Sequence, residues 1–297
     1  MLKVSFFSYK GGAGRTSLLF NILPFLAQKL NATENEPIIV LDLDLDSKGL
    51  SYLLPNKESG INSIQVLRGD RAVSLRHASN IKNHPFFSQL SPIGEDVGLP
   101  EKDDRSILFV SAHAKEGAEF LGEYDNYDSE RSSLRTLSKL CQDYSCKAIV
   151  MDTPAGSQLS GITALKESNK IVSVMRITNQ FRLGTYEFFK QKGQDIQNKE
   201  IVIVPNAVPD FSGSGLDMNL TLNDIVVKTK SALANSTNRV NCSLLTNNNK
   251  GINEVNLFKF REESLTKTSK IRDLYEDELE AIRMYELLAE ELADETN

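Results

Sequence analysis

The feature that most constrains this chain is an abrupt change of character within its first twenty residues. The mostly apolar stretch Leu2-Lys3-Val4-Ser5-Phe6-Phe7-Ser8-Tyr9 runs into Lys10-Gly11-Gly12-Ala13-Gly14-Arg15-Thr16-Ser17, and Leu18-Leu19-Phe20-Asn21-Ile22 follows. That order predicts a strand, a glycine loop and a helix. Glycines at 11, 12 and 14 let backbone N–H groups converge on one point without Cβ obstruction, and the positive end of the following helix aims at the same place. The loop therefore reads as a phosphate cradle, with Gly11, Gly12, Ala13, Gly14, Arg15, Thr16 and Ser17 as candidate contacts. Thr16 falls in the first helical turn, where a hydroxyl can ligate the Mg²⁺ that accompanies a nucleoside triphosphate.

Two further apolar runs end in carboxylates. Ile38-Ile39-Val40-Leu41 has the continuous β-branched character of a parallel strand covered on both faces, and it delivers Asp42-Leu43-Asp44-Leu45-Asp46. Ala148-Ile149-Val150-Met151 delivers Asp152 and then Thr153-Pro154-Ala155-Gly156. The second has the form of a Walker B strand, whose aspartate can hold a metal-bound water beside the phosphates. An exposed acidic turn and a helix-capping aspartate are the plain alternatives.

Further strands are expected at Ile107–Val110, Lys170–Met175 and Glu200–Val204, and a helix at Ser132–Tyr144 from the spacing of Leu134, Leu137, Leu140 and Cys141. Pro24 should kink or restrict the first helix. Together these elements predict an α/β fold in one domain over 1–297: a doubly wound, mostly parallel twisted sheet of seven or eight strands with helices on both faces. The segment 51–106 is less typical, with helical candidates at Gly60–Leu67 and His84–Leu90. His77 and His84 lie near Arg68, Arg71, Arg76 and Lys82; the expectation is a solvated helix surface, with a positively charged face as the alternative. After Lys170–Met175 a helix is expected to begin near Gly184. Asp210–Lys250 reads as a mobile connection, Asn253–Phe260 as a last edge strand, and 273–297 as an acidic amphipathic helix.

Composition limits the partners. A formal net charge of −6 is a poor match for DNA or an anionic membrane, so nucleic acid is not supported by net charge. The sequence has no apolar run of the ~18 residues a membrane helix needs and no charged-then-apolar leader, which leads to the expectation of a cytoplasmic protein without membrane attachment. Three cysteines and three histidines fall at no metal-ligand spacing.

Lys10-Gly11-Gly12-x-Gly14-x-Thr16 resembles the deviant Walker A motif of the ParA/MinD family, Lys-Gly-Gly-x-Gly-Lys-Thr. Lys10 matches the family's extra lysine, while Arg15 stands where the family usually has its second one, as in an arginine-bearing branch. Asp42-x-Asp44 and Asp152-Thr-Pro-x-Gly resemble the family's later motifs, so the likeness covers roughly residues 2–60 and 146–206. It implies ATP and Mg²⁺ as cofactors and a homodimer with ATP at the interface, Lys10 reaching across to the partner's nucleotide. It also implies Thr16, Asp42 and Asp152 around the metal and Asp44 orienting the attacking water, with Asp46 as the alternative register. Asn206 would read the base. Arginine is a planar fork and lysine a compact point charge, so Arg15 implies weak, slow hydrolysis. The reading is an ATP-dependent switch acting on an unidentified protein partner, with a non-hydrolysing nucleotide-binding scaffold and a P-loop transferase or ligase as competitors.

Overall fold

Apolar residues at successive positions of one strand cannot all face the same way, and here they build two cores. Ile38 and Val40 join the larger one with Val4, Phe6, Val150 and Phe109, whereas Ile39 and Leu41 join the other with Ile149, Met151, Leu108 and Leu134. A sheet with hydrophobic residues on both faces must be covered on both faces, which is the layered arrangement found. The computed structural model describes residues 1–54, 59–69, 78–113, 127–206, 218–233, 241–244 and 279–294.

The strands are β1 (Leu2–Phe7), β2 (Ile38–Asp42), β3 (Ser91–Pro92), β4 (Ile107–Val110), β5 (Ala148–Asp152), β6 (Lys170–Met175), β7 (Glu200–Pro205) and β8 (Asn241–Leu244). They form one eight-stranded sheet in the order β3-β4-β2-β5-β1-β6-β7-β8. All neighbouring pairs are parallel except β3 with β4. The chain leaves β1 toward β2 on one side and later returns past it to β6 on the other, so the strand order reverses around β1 and β5. In open α/β sheets the crevice at such a reversal, beyond the carboxyl ends of the strands, is where ligands bind.

The helices are α1 (Arg15–Lys29), α2 (Gly49–Leu53), α3 (Ser63–Arg68), α4 (Tyr127–Asp143), α5 (Leu159–Glu167), α6 (Asn179–Lys192), α7 (Met218–Leu233) and α8 (Leu279–Ala293). α1 runs unbroken through Pro24, which is buried within it. α6 begins at Thr178–Asn179, five residues before the expected start, and Gly184 lies inside it. The short antiparallel β3 was not readable from two residues. Within 51–106, α3 is shorter than expected and His84–Leu90 holds only a single 3₁₀ turn, Phe87–Gln89. His84 is not on a solvated face: it is fully buried, edge-on to Phe87 and Tyr144. His77, Arg71 and Arg76 lie outside the described residues. α7 and β8 both fall within 210–250, so that stretch is more than a connection; the expected strand at Asn253–Phe260 lies outside the described residues.

The acidic carboxyl-terminal helix packs on α1. Met284, Leu288, Ala289 and Leu292 are buried in the larger core, and Tyr285 stacks on Phe25 with ring centroids 6.0 Å apart. Lys170 caps the helix end, its Nζ donating to the carbonyls of Glu291 at 2.6 Å and Asp294 at 2.8 Å, and Lys29 pairs with Glu290. A cation at a helix carboxyl terminus satisfies orphan carbonyls and complements the helix dipole. Leu288→Ala should therefore lower unfolding stability by about 2–5 kcal/mol in a urea titration, the cost of a core cavity, whereas a helix merely resting on the surface would lose under about 0.5 kcal/mol.

Candidate functional site

The site forms where β1, β2 and β5 end side by side. Strand register places Phe6 opposite Asp152 and Asp42 opposite Asp152, which brings the glycine loop and both acidic strand ends to one edge. The loop turns through Gly12 and Gly14, both at φ 80°, and Gly14 serves as the N-cap of α1. A Cβ at Gly11 or Gly12 would meet nothing within 4 Å, so the space above the loop is open. At Gly14 the demand is stricter, because the positive φ disfavours any side chain and the Asn206 amide already fills the place of a Cβ.

Asn206 comes from the end of β7 and is buried; its Nδ2 donates to the Ala13 carbonyl at 2.7 Å. One amide hydrogen is thus committed to the loop, leaving the other and Oδ1 for a ligand. The Asp152–Gly156 segment is fastened to the same loop. Thr153 Oγ1 donates to the Phe6 carbonyl at 2.7 Å, and the Gly156 N–H donates to the Ser8 carbonyl at 3.0 Å.

Arg15 is the centre of the polar cluster. Its Nε donates to Asp152 Oδ1 at 2.6 Å and its Nη2 to Asp44 Oδ2 at 2.8 Å, while Nη1 lies 3.4 Å from Ser8 Oγ. The side chain is only 7 % exposed. Burial would lower the guanidinium pKa, but Asp152 and then Asp44 outweigh it and raise it, so Arg15 stays charged. Thr16 Oγ1 donates to the other Asp152 oxygen at 2.8 Å. Burial pushes the Asp152 carboxyl up, and Arg15 and Thr16 pull it back.

The two aspartates after β2 differ in surroundings. Asp44 faces Arg15 and accepts the Ser47 N–H at 3.1 Å. Asp46 instead accepts from Gln158 at 3.1 Å, so of the two registers only Asp44 joins the cluster. Asp42 is fully buried, with Oδ2 accepting from the Ser51 N–H at 2.9 Å and the Ser51 hydroxyl at 2.7 Å, and Oδ1 accepting from the Asp44 N–H at 3.2 Å. Its carboxylate binds the start of α2 to the strand end. Ser51 in turn accepts the Ala112 N–H at 2.9 Å, which extends the network to the end of β4.

Lys10 and Tyr9 are exposed on the outer rim. With Gly156, Ser157, Gln180 and Gly184 they line an open pocket of about 570 Å³. The Tyr9 ring lies directly on Gly184 of α6, where a Cβ would overlap it. Ser17 is partly exposed, and its carbonyl accepts from Asn21 at 2.8 Å. Several residues around the site escaped sequence reading, among them Ser8, Ser51 and Gly184. Serines and a mid-helix glycine carry no spacing signal, and only the fold brings them to the strand ends.

A divalent metal fits this donor set. Thr16 and Asp152 already hold hydroxyl and carboxylate oxygens together beside an open cradle, the hard oxygen ligands Mg²⁺ prefers. Among the described residues no group of three or more His, Cys, Asp and Glu side chains forms an independent metal centre. No described helix is long and apolar enough to cross a membrane.

A glycine loop at a sheet reversal, running into a helix and flanked by an acidic strand end, defines the P-loop NTPase fold. Solved MinD and ParA chains share this fold. A chain of the MinC:MinD cell division protein complex of Aquifex aeolicus superposes with a TM-score of 0.62 at 15% identity, covering 100% of this chain and 98% of that one. A ParA family ATPase from Chlorobium tepidum TLS gives 0.60 at 12% identity over 96% and 97%. MinD from Pyrococcus horikoshii OT3, complexed with Mg-ADP, gives 0.58 at 15% identity over 98% and 96%. No family model matches the sequence, and neither does any curated protein.

One consequence for stability follows from Asp42. Burial, and then the Asp152 charge, push its carboxyl from 3.8 up to about 7, against the hydrogen bonds from Ser51 and Asp44 that lower it. The folded state therefore binds more protons than the unfolded one between these values, and this group's contribution makes stability fall as pH rises from about 4 to 7. Asp42→Asn keeps an acceptor for Ser51 and should flatten that part of the profile, measured by urea denaturation in metal-free buffer. An unchanged slope would place the titration elsewhere.

Proposed function

We propose that this chain is a ParA/MinD-like ATPase, an ATP-binding and slowly hydrolysing switch that dimerises around the nucleotide and controls a protein partner. The observation that carries the reading is the cluster Arg15, Thr16, Asp44 and Asp152 beneath an open glycine loop at the sheet reversal. The backbone N–H groups of Gly11 through Ser17 and the start of α1 receive the phosphates. Asn206 meets the base with its free amide hydrogen and Oδ1. Thr16 and Asp152 are the residues that would hold Mg²⁺, which would supply positive charge beside the phosphates.

Asp44 orients the attacking water, and Asp42 acts from behind, fixing Asp44 and α2 through its own hydrogen bonds. Lys10, exposed on the rim, reaches the nucleotide of a second copy. Arg15 donates to the phosphates while still tied to two carboxylates, and this is the reason for slow turnover: Asp44 is held in an ion pair when it should hold water. The chain is read as cytoplasmic and unattached to membrane. The neighbours include a ParA bound to nonspecific DNA, but the net charge of −6 here favours a protein partner.

The Arg15–Asp44 ion pair also favours a second reading, a nucleotide-binding scaffold that does not hydrolyse. Phosphate release separates the two. The switch requires ATP-dependent release that Asp44→Ala abolishes and Arg15→Lys accelerates, whereas the scaffold shows none above background. Size-exclusion chromatography with light scattering should find dimers with ATP but not with ADP, and Lys10→Ala should stay monomeric with ATP while still binding it. A monomer of the unaltered chain in saturating ATP would overturn the dimeric switch.

A further inference from the structure

We propose that Gly184 is a positioning residue: its missing side chain seats the Tyr9 ring on α6 and so fixes the backbone from which Lys10 reaches a second copy's nucleotide. The inference rests on the dimeric reading above. It adds to that reading two residues outside the phosphate cradle.

The first argument is why a glycine stands at this place. Gly184 lies inside α6, where glycine is disfavoured against alanine because ordering its backbone costs more entropy. Its backbone is not one of the left-handed glycines of the described residues, so φ does not require it. The three atoms nearest to a Cβ at this position all belong to the Tyr9 ring: Cε1 and Cδ1 would overlap it, and Cζ would lie 2.8 Å away. Room for that ring is what the glycine provides.

The second argument is register. Phe7 and Tyr9 are two residues apart, and both meet α6, as alternate residues of an extended chain do. Phe188 lies one turn beyond Gly184 on the same helix face, and its ring stacks on Phe7 with centroids 4.3 Å apart. Between the two contacts the Ser8 carbonyl accepts the Gly156 N–H at 3.0 Å. The chain is therefore held at two levels of α6, by a pair of rings in the core and by a ring on bare backbone at the rim.

The third argument is what the seat holds. Lys10 follows Tyr9 directly, is exposed, and shares with it the open pocket that Gly184 also lines. Beyond Lys10 come Gly11 and Gly12, which leave the backbone its greatest freedom. A lysine with mobile chain on both sides would lose much conformational entropy on being ordered at an interface. The seated ring fixes one side before any partner arrives.

The test compares dimer dissociation constants, by sedimentation velocity with Mg²⁺ and a non-hydrolysable ATP analogue. ADP affinity by titration calorimetry reads the cradle within one protomer. Gly184→Ala should weaken the dimer about tenfold or more and change ADP affinity by less than about threefold. Tyr9→Ala should weaken the dimer to the same extent, and Tyr9→Phe should match the unaltered chain. Adding Gly184→Ala to Tyr9→Ala should change the dimer by under about twofold, because no ring remains to displace. A Gly184→Ala dimer as tight as the unaltered one overturns the inference and leaves the dimeric reading intact. So does an ADP affinity that falls in step with dimer affinity, or a Gly184→Ala effect undiminished beside Tyr9→Ala. Should Gly184→Ala not fold by circular dichroism, Tyr9→Ala against Tyr9→Phe decides, and equal dimers overturn the inference. An unaltered chain that stays monomeric with the analogue overturns the dimeric reading and the inference with it.

Discussion

The ion cluster of Arg15 with Asp44 and Asp152 is the interaction on which the rest of the site depends. Parallel strands that end together inevitably bring their terminal side chains together, and here three aspartates meet at one edge of the sheet. Carboxylates in such a setting must be paired, protonated or hydrogen-bonded. The chain uses separate devices for each: Asp42 is satisfied by Ser51 and the Asp44 N–H, Asp44 by Arg15, and Asp152 by Arg15 and Thr16. Breaking a buried pair by removing one partner costs more than the pair itself contributes, so the cluster holds the loop, β2 and β5 in a fixed relation.

The fold supplies that relation by topology. β1 and β5 are neighbours in the sheet although 140 residues of chain separate their ends, and the loop after β5 returns to hydrogen-bond with Phe6 and Ser8. A change in either loop is therefore felt by the other. Gly14 and Asn206 perform the same service on the opposite side: the loop can pass beneath the β7 end only because position 14 lacks a side chain.

Much of this was legible in the sequence, for a physical reason. Parallel strands buried on both faces are continuous apolar runs, and the residues that close them are polar because they meet the ligand edge; Ile38–Asp42 and Ala148–Asp152 show both signals in five residues each. The likeness to solved MinD and ParA structures at 12–15% identity shows how little sequence such a fold needs. What was hidden depends on long-range contact. Nothing local marks Ser51 as the partner of Asp42 or Gly184 as the seat of Tyr9. Nor does local sequence show that His84, flanked by Asn83 and Pro85, is buried in an aromatic cluster. The pairing of Arg15 with acids, not with open cradle space, also needed three dimensions, because the motif shows which residues are present but not which way they turn.

The two cations of the glycine loop end in opposite environments, and that contrast follows from their neighbours. Arg15 enters α1 and its stem is carried inward to the acidic strand ends, where a planar fork can satisfy two carboxylates at once. Lys10 precedes the glycines and stays on the rim beside Tyr9, whose ring rests on Gly184. The ring packs on α6 immediately before the glycines, so the backbone at Lys10 is held beside that helix while Lys10 itself is exposed. A buried, preorganised charge suits a task inside the protomer. A solvated charge on a fixed base suits a target that is present only some of the time, since it keeps its hydration until that target arrives.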